Sequence, residues 1–180
     1  MPPRVPFTQT FLAGKELEYV SQVVEQGMLA SDGPFSRKCA DWLQQYSGAA
    51  GVLLTSSCTA ALEMAAMLCE LGPGDEVIMP SFTFVSTASA VARTGAQPVF
   101  VDVDPQTLNI DPASAAARLN SKTRAIIPVH YAGVGCPMEA INELAGQHGL
   151  VVIEDAAQAV GASQAGKPLG SYGQLAAFSF

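Results

Sequence analysis

The sequence predicts an α/β domain in which helices cover both faces of a largely parallel sheet. Three observations lead there. Short apolar runs rich in Val, Ile and Phe recur along the chain, each bounded by turn residues and each of strand length. Segments of helical period lie between these runs, and an alternation of strand and helix calls for right-handed crossovers between parallel strands. The composition, 49% hydrophobic and 14% charged over 180 residues, fits a soluble globular domain with one substantial core.

Taken in order, Lys15 to Gln26 and Phe35 to Tyr46 read as helices joined by the loop "GMLASDGPF". The first strand is expected at "GVLLTSS" (51–57), and a helix over Thr59 to Leu71 follows it. "DEVIMP" (75–80) leads into a helix over Phe84 to Thr94, and "QPVFVDV" (97–103) into a helix over Pro112 to Asn120 with Asp111 as its N-cap. "TRAIIPVH" (123–130) precedes a helix over Pro137 to His148, and "GLVVIEDAA" (149–157) and "LAAFSF" (175–180) complete the strands. No internal repeat, linker or low-complexity tract interrupts the series.

Charge narrows the range of partners. The net charge is −7 with only nine Lys plus Arg, and the one basic cluster is Arg37 with Lys38, so a phosphate backbone finds no electrostatic footprint and nucleic acid is not expected as a partner. Apolar windows such as Val85 to Ala92 fall well short of the roughly 20 residues a membrane span requires. "MPPRVPFTQT" lacks the apolar core of a signal peptide, and the expectation is a cytoplasmic protein with no membrane partner. Cys39, Cys58, Cys69 and Cys136 form no CxxC pair and have no ligand spacing with His130 or His148. They read as reduced thiols, and no metal site is expected.

In a parallel sheet ligands bind at the carboxyl ends of the strands, which is where the polar residues of this chain gather. "LLTSSCTAALEMAA" passes from a strand through a hydroxyl-rich turn into a helix, a geometry that suits a phosphate and equally an ordinary Ser/Thr N-cap. The dinucleotide and P-loop fingerprints are both absent. "PSFTFVSTASA" puts Phe82 and Phe84 just after a strand, where a ring belongs either to the core or to the wall of a flat ligand's site. His130 could be a general acid, a stacking platform or a satisfied strand-end histidine. Asp155 shares a strand face with Ile153, opposite Glu154. No Lys or Arg lies near Asp155 in sequence, which suggests a cation brought by a ligand, a protonated pyridine nitrogen being one. Gln158 lies three residues on, within reach of the same ligand. From the residues alone, the reading stops at an α/β domain with a possible phosphate-bearing ligand.

Read together, "TSSCTAALEMAA", "GDEVIMPSFTFVSTASAVARTGAQPVFVDVD", "IIPVHYAGVGCPME", "VVIEDAAQAVGA" and "AFSF" resemble the DegT/DnrJ/EryC1/StrS sugar aminotransferase family, fold type I enzymes that use pyridoxal 5'-phosphate (PLP). The similarity is strongest to the branch that aminates C4 of a dTDP-4-keto-6-deoxy sugar. The resemblance implies a three-layer αβα large domain: residues 1–50 would be a helical segment with a substrate-side loop, and 51–180 the N-terminal part of the PLP-binding domain. It implies that Asp155 pairs with the pyridinium nitrogen, Gln158 lies against the phenolic oxygen and Phe84 stacks on the ring. The backbone at Cys58 and Thr59, with the Ser179 hydroxyl, would hold the phosphate. Gly33 and Pro34 would border the nucleotide-sugar pocket, and His130 would lie near the ring. It also implies a nucleotide sugar and an amino acid donor, glutamate, as substrates, and a homodimer.

The Schiff-base lysine of this family follows "SF" within a few residues, whereas Lys15, Lys38, Lys122 and Lys167 all lie elsewhere. The resemblance therefore implies that the lysine lies beyond Phe180, that the chain is the N-terminal portion of a longer enzyme, and that it is inactive alone. Two alternatives stay open on the same residues: a PLP-dependent nucleotide-sugar 3-dehydrase, which has His in place of that lysine, and a non-catalytic nucleotide-sugar-binding domain.

Overall fold

A computed structural model describes residues 9–180, so the first eight residues of the expected 1–50 segment lie outside the described residues. The chain divides into two compact units, Met1–Trp42 and Leu43–Phe180. In the first, α1 (Glu16–Gln26) ends on Gly27, whose φ of 69° lets its N–H turn back to the Val24 carbonyl. The division falls inside α2 (Pro34–Ser47), N-terminal of the expected boundary. Its last turn belongs to the second unit: Leu43 is buried, and the Tyr46 hydroxyl donates to the Ala162 carbonyl at 2.9 Å while accepting from the Gly161 N–H at 3.1 Å.

The second unit contains α3 (Cys58–Leu68), β1 (Glu76–Pro80), α4 (Val85–Ala92), β2 (Gln97–Val101), α5 (Pro112–Arg118), β3 (Thr123–Ile126), α6 (Met138–His148) and β4 (Val151–Ala156). A small antiparallel hairpin, β5 (Ser163–Gln164) and β6 (Lys167–Pro168), precedes β7 (Leu175–Phe178). Five strands form one parallel sheet in the order β2-β1-β3-β4-β7. The mostly parallel αβα architecture expected from the sequence is present.

Period-two alternation sorts the strand residues between two cores. Val77, Met79 and Ile153 face α3 and α4 and pack on Leu62, Ala66 and Val91. Ile78, Ile126 and Val152 face the other way, onto Ala115 of α5 and Ile141 of α6. Both faces are apolar, and so β1 and β4 are buried along nearly their whole length. Helix starts follow the local chemistry: Asp111 accepts from the Ala113 and Ser114 N–H groups ahead of Pro112, and Ser57 accepts from Ala60 N–H at 3.1 Å. No helix among the described residues is long and apolar enough to cross a membrane.

One expected strand is not there. Residues 51–57 have an apolar strand pattern yet form no ladder, and Leu53 is 74% exposed. A strand exists only through its ladder bonds, and the nearest open edge, that of β7, is separated from this segment by a cavity of about 810 Å³ lined by Leu53, Leu54, Leu68, Ala176 and Phe178. β7 pairs only with β4 among the described residues. The last strand also stops at Phe178, which leaves Ser179 in irregular chain.

Gly173 lies hard against the backbone of the sheet, since a Cβ there would stand 2.6 Å from the Val152 carbonyl oxygen. Gly173→Ala is expected to destabilise the domain by about 1–3 kcal/mol, an overpacking cost against backbone that cannot rotate away. An unchanged urea midpoint would show that the loop before β7 relaxes freely.

Candidate cofactor-binding site

The acids at the end of β4 point to opposite faces, as strand periodicity requires. Asp155 lies on the α3 and α4 side, 4% exposed, where its carboxylate accepts from the Thr87 hydroxyl at 2.7 Å and from the Ala157 N–H at 3.2 Å. Thr87 donates to Asp155, so its oxygen is left to accept from the Thr83 hydroxyl, 2.7 Å away. Thr83, just before α4, and Thr87, in its first turn, form a directed relay into the carboxylate. No ion pair involves Asp155 among the described residues. Burial pushes its carboxyl above the ordinary range, and outweighs the Thr87 and Ala157 hydrogen bonds that pull it down. Such a carboxylate is matched to a cation that arrives with a ligand.

Glu154 has a different task. Its carboxylate is fully buried and accepts from the N–H groups of Gly170, Tyr172 and Gly173 at 2.9, 2.6 and 2.6 Å, and it lies 2.7 Å from His130 Nε2. Burial alone would raise its carboxyl, but the His130 contact and the Gly173 and Gly170 N–H groups hold it below the ordinary range. His130 Nδ1 accepts from Cys136 N–H at 3.1 Å, which places the ring proton on Nε2, facing Glu154. This corrects the expectation for His130. The ring is 0% exposed with both nitrogens engaged, so it offers no atom to a substrate. The strand-end histidine is a satisfied core group because Glu154 is its partner.

The start of α3 leaves backbone donors unpaired. Ser57 caps the helix, and the N–H groups of Cys58 and Thr59 have no acceptor among the described residues. Thr59 Oγ1 lies 2.7 Å from Ser86 Oγ, which ties this turn to α4. Burial first, and then the Asp155 carboxylate, push the Cys58 thiol up to about 12, so it stays protonated and is no nucleophile. Ser56, Ser57, Cys58 and Ser179 line the cavity beside β7. Asp155, Phe84 and Gln158 do not.

Phe84 precedes α4 with its ring 71% exposed, so it is not core; Phe82 instead packs on Tyr131 with ring centroids 4.5 Å apart. Gln158 lies in a turn after β4, exposed, with Oε1 accepting from Ala132 N–H at 2.5 Å. Gly33 and Pro34 lie in the N-terminal unit, at the start of α2. Lys122 precedes β3 at the amino ends of the strands, and Lys167 Nζ sits 4.5 Å from the Tyr172 ring centroid on the hairpin. Neither reaches the carboxyl end of β4. Sequence reading placed Thr83 among the polar residues at the strand ends but missed Thr87. Its signal was the four-residue spacing in "TFVST", which lets a hydroxyl ahead of the helix fold back onto one in the first turn.

A buried carboxylate without a cation, an exposed ring, a side-chain amide and a helix start with free N–H groups are the kinds of group that suit a planar, cationic, phosphate-bearing ligand such as PLP. Comparison with known proteins agrees. The spore coat polysaccharide biosynthesis protein SpsC of Bacillus subtilis is 42% identical over 98% of this chain and 45% of its own length. GDP-perosamine synthase of Caulobacter vibrioides is 42% identical over 99% of this chain and 48% of its own. The PLP-form of the sugar aminotransferase Spr1654 from Streptococcus pneumoniae superposes with a TM-score of 0.93 at 29% identity, covering 98% of this chain and 48% of that one. The chain thus spans under half the length of these relatives. The family model for DegT/DnrJ/EryC1/StrS aminotransferases, PLP-dependent enzymes, matches residues 11–180, and the chain belongs to that family.

Proposed function

We propose that the protein carrying this chain transfers an amino group from glutamate to a nucleotide-linked 4-keto-6-deoxy sugar, with dTDP as the nucleotide, in the cytoplasm and as a homodimer. The observation that carries the reading is Asp155: a buried, ionisable carboxylate with two hydrogen-bond donors and no ion-pair partner among the described residues. When bound, PLP supplies an electron sink for charge developing at Cα of the amino donor and a carrier for the amino group. Asp155 keeps the pyridine nitrogen protonated, and the Thr83 and Thr87 hydroxyls hold the carboxylate in place for it. Phe84 covers one face of the ring. The free N–H groups of Cys58 and Thr59, with the Ser179 hydroxyl, take the phosphate. Gly33 and Pro34 border the sugar nucleotide, and α1, which buries no residue in the monomer, offers Leu17, Val20 and Val24 to a second subunit.

The test is an assay of that protein with PLP, L-glutamate and either dTDP-4-keto-6-deoxyglucose or a GDP-linked counterpart. Formation of 2-oxoglutarate together with a 4-amino sugar is expected on the dTDP substrate. Preference for the GDP sugar would overturn the nucleotide assignment, and turnover of neither would overturn the reaction.

A further inference from the structure

Ala132 is a non-glycine residue in left-handed backbone, with φ 52° and ψ 26°, inside the 3-10 turn Tyr131–Gly133. Alanine does not adopt that conformation freely, and something must hold it there. Asn109, only 1% exposed, does so from the loop after β2: its Nδ2 donates to the Val134 carbonyl at 2.9 Å, and its Oδ1 accepts from Tyr131 N–H at 3.2 Å. One side chain thereby grips both ends of the turn. The result is that Ala132 N–H points at Gln158 and donates to its Oε1.

This bond fixes more than position. A backbone N–H can only donate, so the atom it meets must be the amide oxygen, and Gln158 Nε2 is left as a donor with no partner among the described residues. We propose that Asn109 is a positioning residue that, through the strained turn, locks the Gln158 amide so that it presents a donor, and thereby selects an anionic phenolic oxygen on the bound ring. The inference rests on the reading of Gln158 as the residue beside that oxygen. It adds that the orientation of the amide is set from another loop, 49 residues earlier in the chain (158 − 109). Without the grip, the amide could rotate and offer its oxygen, which a phenolate repels.

The probes are pyridoxamine phosphate and its analogue methylated on the phenolic oxygen, bound to the cofactor-free protein carrying this chain. The native protein is expected to prefer the free phenol by about tenfold, the worth of one charge-assisted hydrogen bond. Asn109→Ala and Gln158→Leu should each abolish that preference, and the double variant should lose no more than either alone. Without any cofactor, the Ala132 amide proton should exchange about tenfold faster in Asn109→Ala while Ile126 in the central strand stays protected. If Asn109→Ala does not fold, Asn109→Asp, which keeps the acceptor for Tyr131 N–H and loses the donor to Val134, carries the same readouts. Preference retained in the Asn109 variant but lost in Gln158→Leu overturns the proposal and leaves Gln158 in place. Preference retained in both overturns the placement of Gln158 and the proposal with it.

Discussion

Glu154→Ala is expected to cost the domain about 3–5 kcal/mol, because it strips a buried acceptor from several donors, each costing about 1–3 kcal/mol when left unmet. The loss leaves four donors unmet in a closed interior: the N–H groups of Gly170, Tyr172 and Gly173, and Nε2 of His130. Against a typical total of about 5–15 kcal/mol, that takes a large share of the stability. A urea titration measures it directly. A midpoint shift smaller than that of Gly173→Ala would show that the loop before β7 finds other acceptors.

The two acids also give opposite pH dependences. Glu154 has its carboxyl lowered by folding, so the unfolded chain binds more protons across that interval; its stabilisation is complete above the ordinary carboxylate range and is lost as pH falls through the folded value. Asp155 has its carboxyl raised, so the ligand-free fold binds more protons and loses stability as pH rises through the folded value. Glu154→Gln should therefore flatten the acid side of the stability profile, and Asp155→Asn should make the ligand-free protein more stable at neutral pH. Profiles that move the same way in both variants would contradict the separation of the two faces.

The larger functional effect is expected at Asp155. In the protein carrying this chain, Asp155→Ala should lower the transamination rate by about 10²–10³, or roughly 3–4 kcal/mol, because it removes a preorganised charge from a site where water does not compensate. Asp155→Asn, which keeps an acceptor for the Thr87 hydroxyl, separates this loss of rate from a loss of folding. Near-normal turnover in Asp155→Ala would refute the assignment of the ring nitrogen to this residue.

Much of this protein is determined locally. Apolar runs of strand length set between Gly, Pro and Asp specify β1 to β4, and Asp111 with Pro112 specifies where α5 begins, since capping depends only on adjacent chain. The opposite facing of Glu154 and Asp155 follows from the pleat alone. Residues 51–57 show the limit: their pattern is that of a strand, but a strand also needs a neighbour's ladder, and that depends on what lies across the cavity beside β7. His130 shows the same limit for the site, because only tertiary packing decided that its ring would meet Glu154 rather than open space. The grip of Asn109 on the turn at Ala132, and of Thr87 on Asp155, joins residues 22 to 68 positions apart. Sequence pattern could name the acid, the ring and the amide. Their partners were set by which loops the parallel crossovers bring to the same end of the sheet.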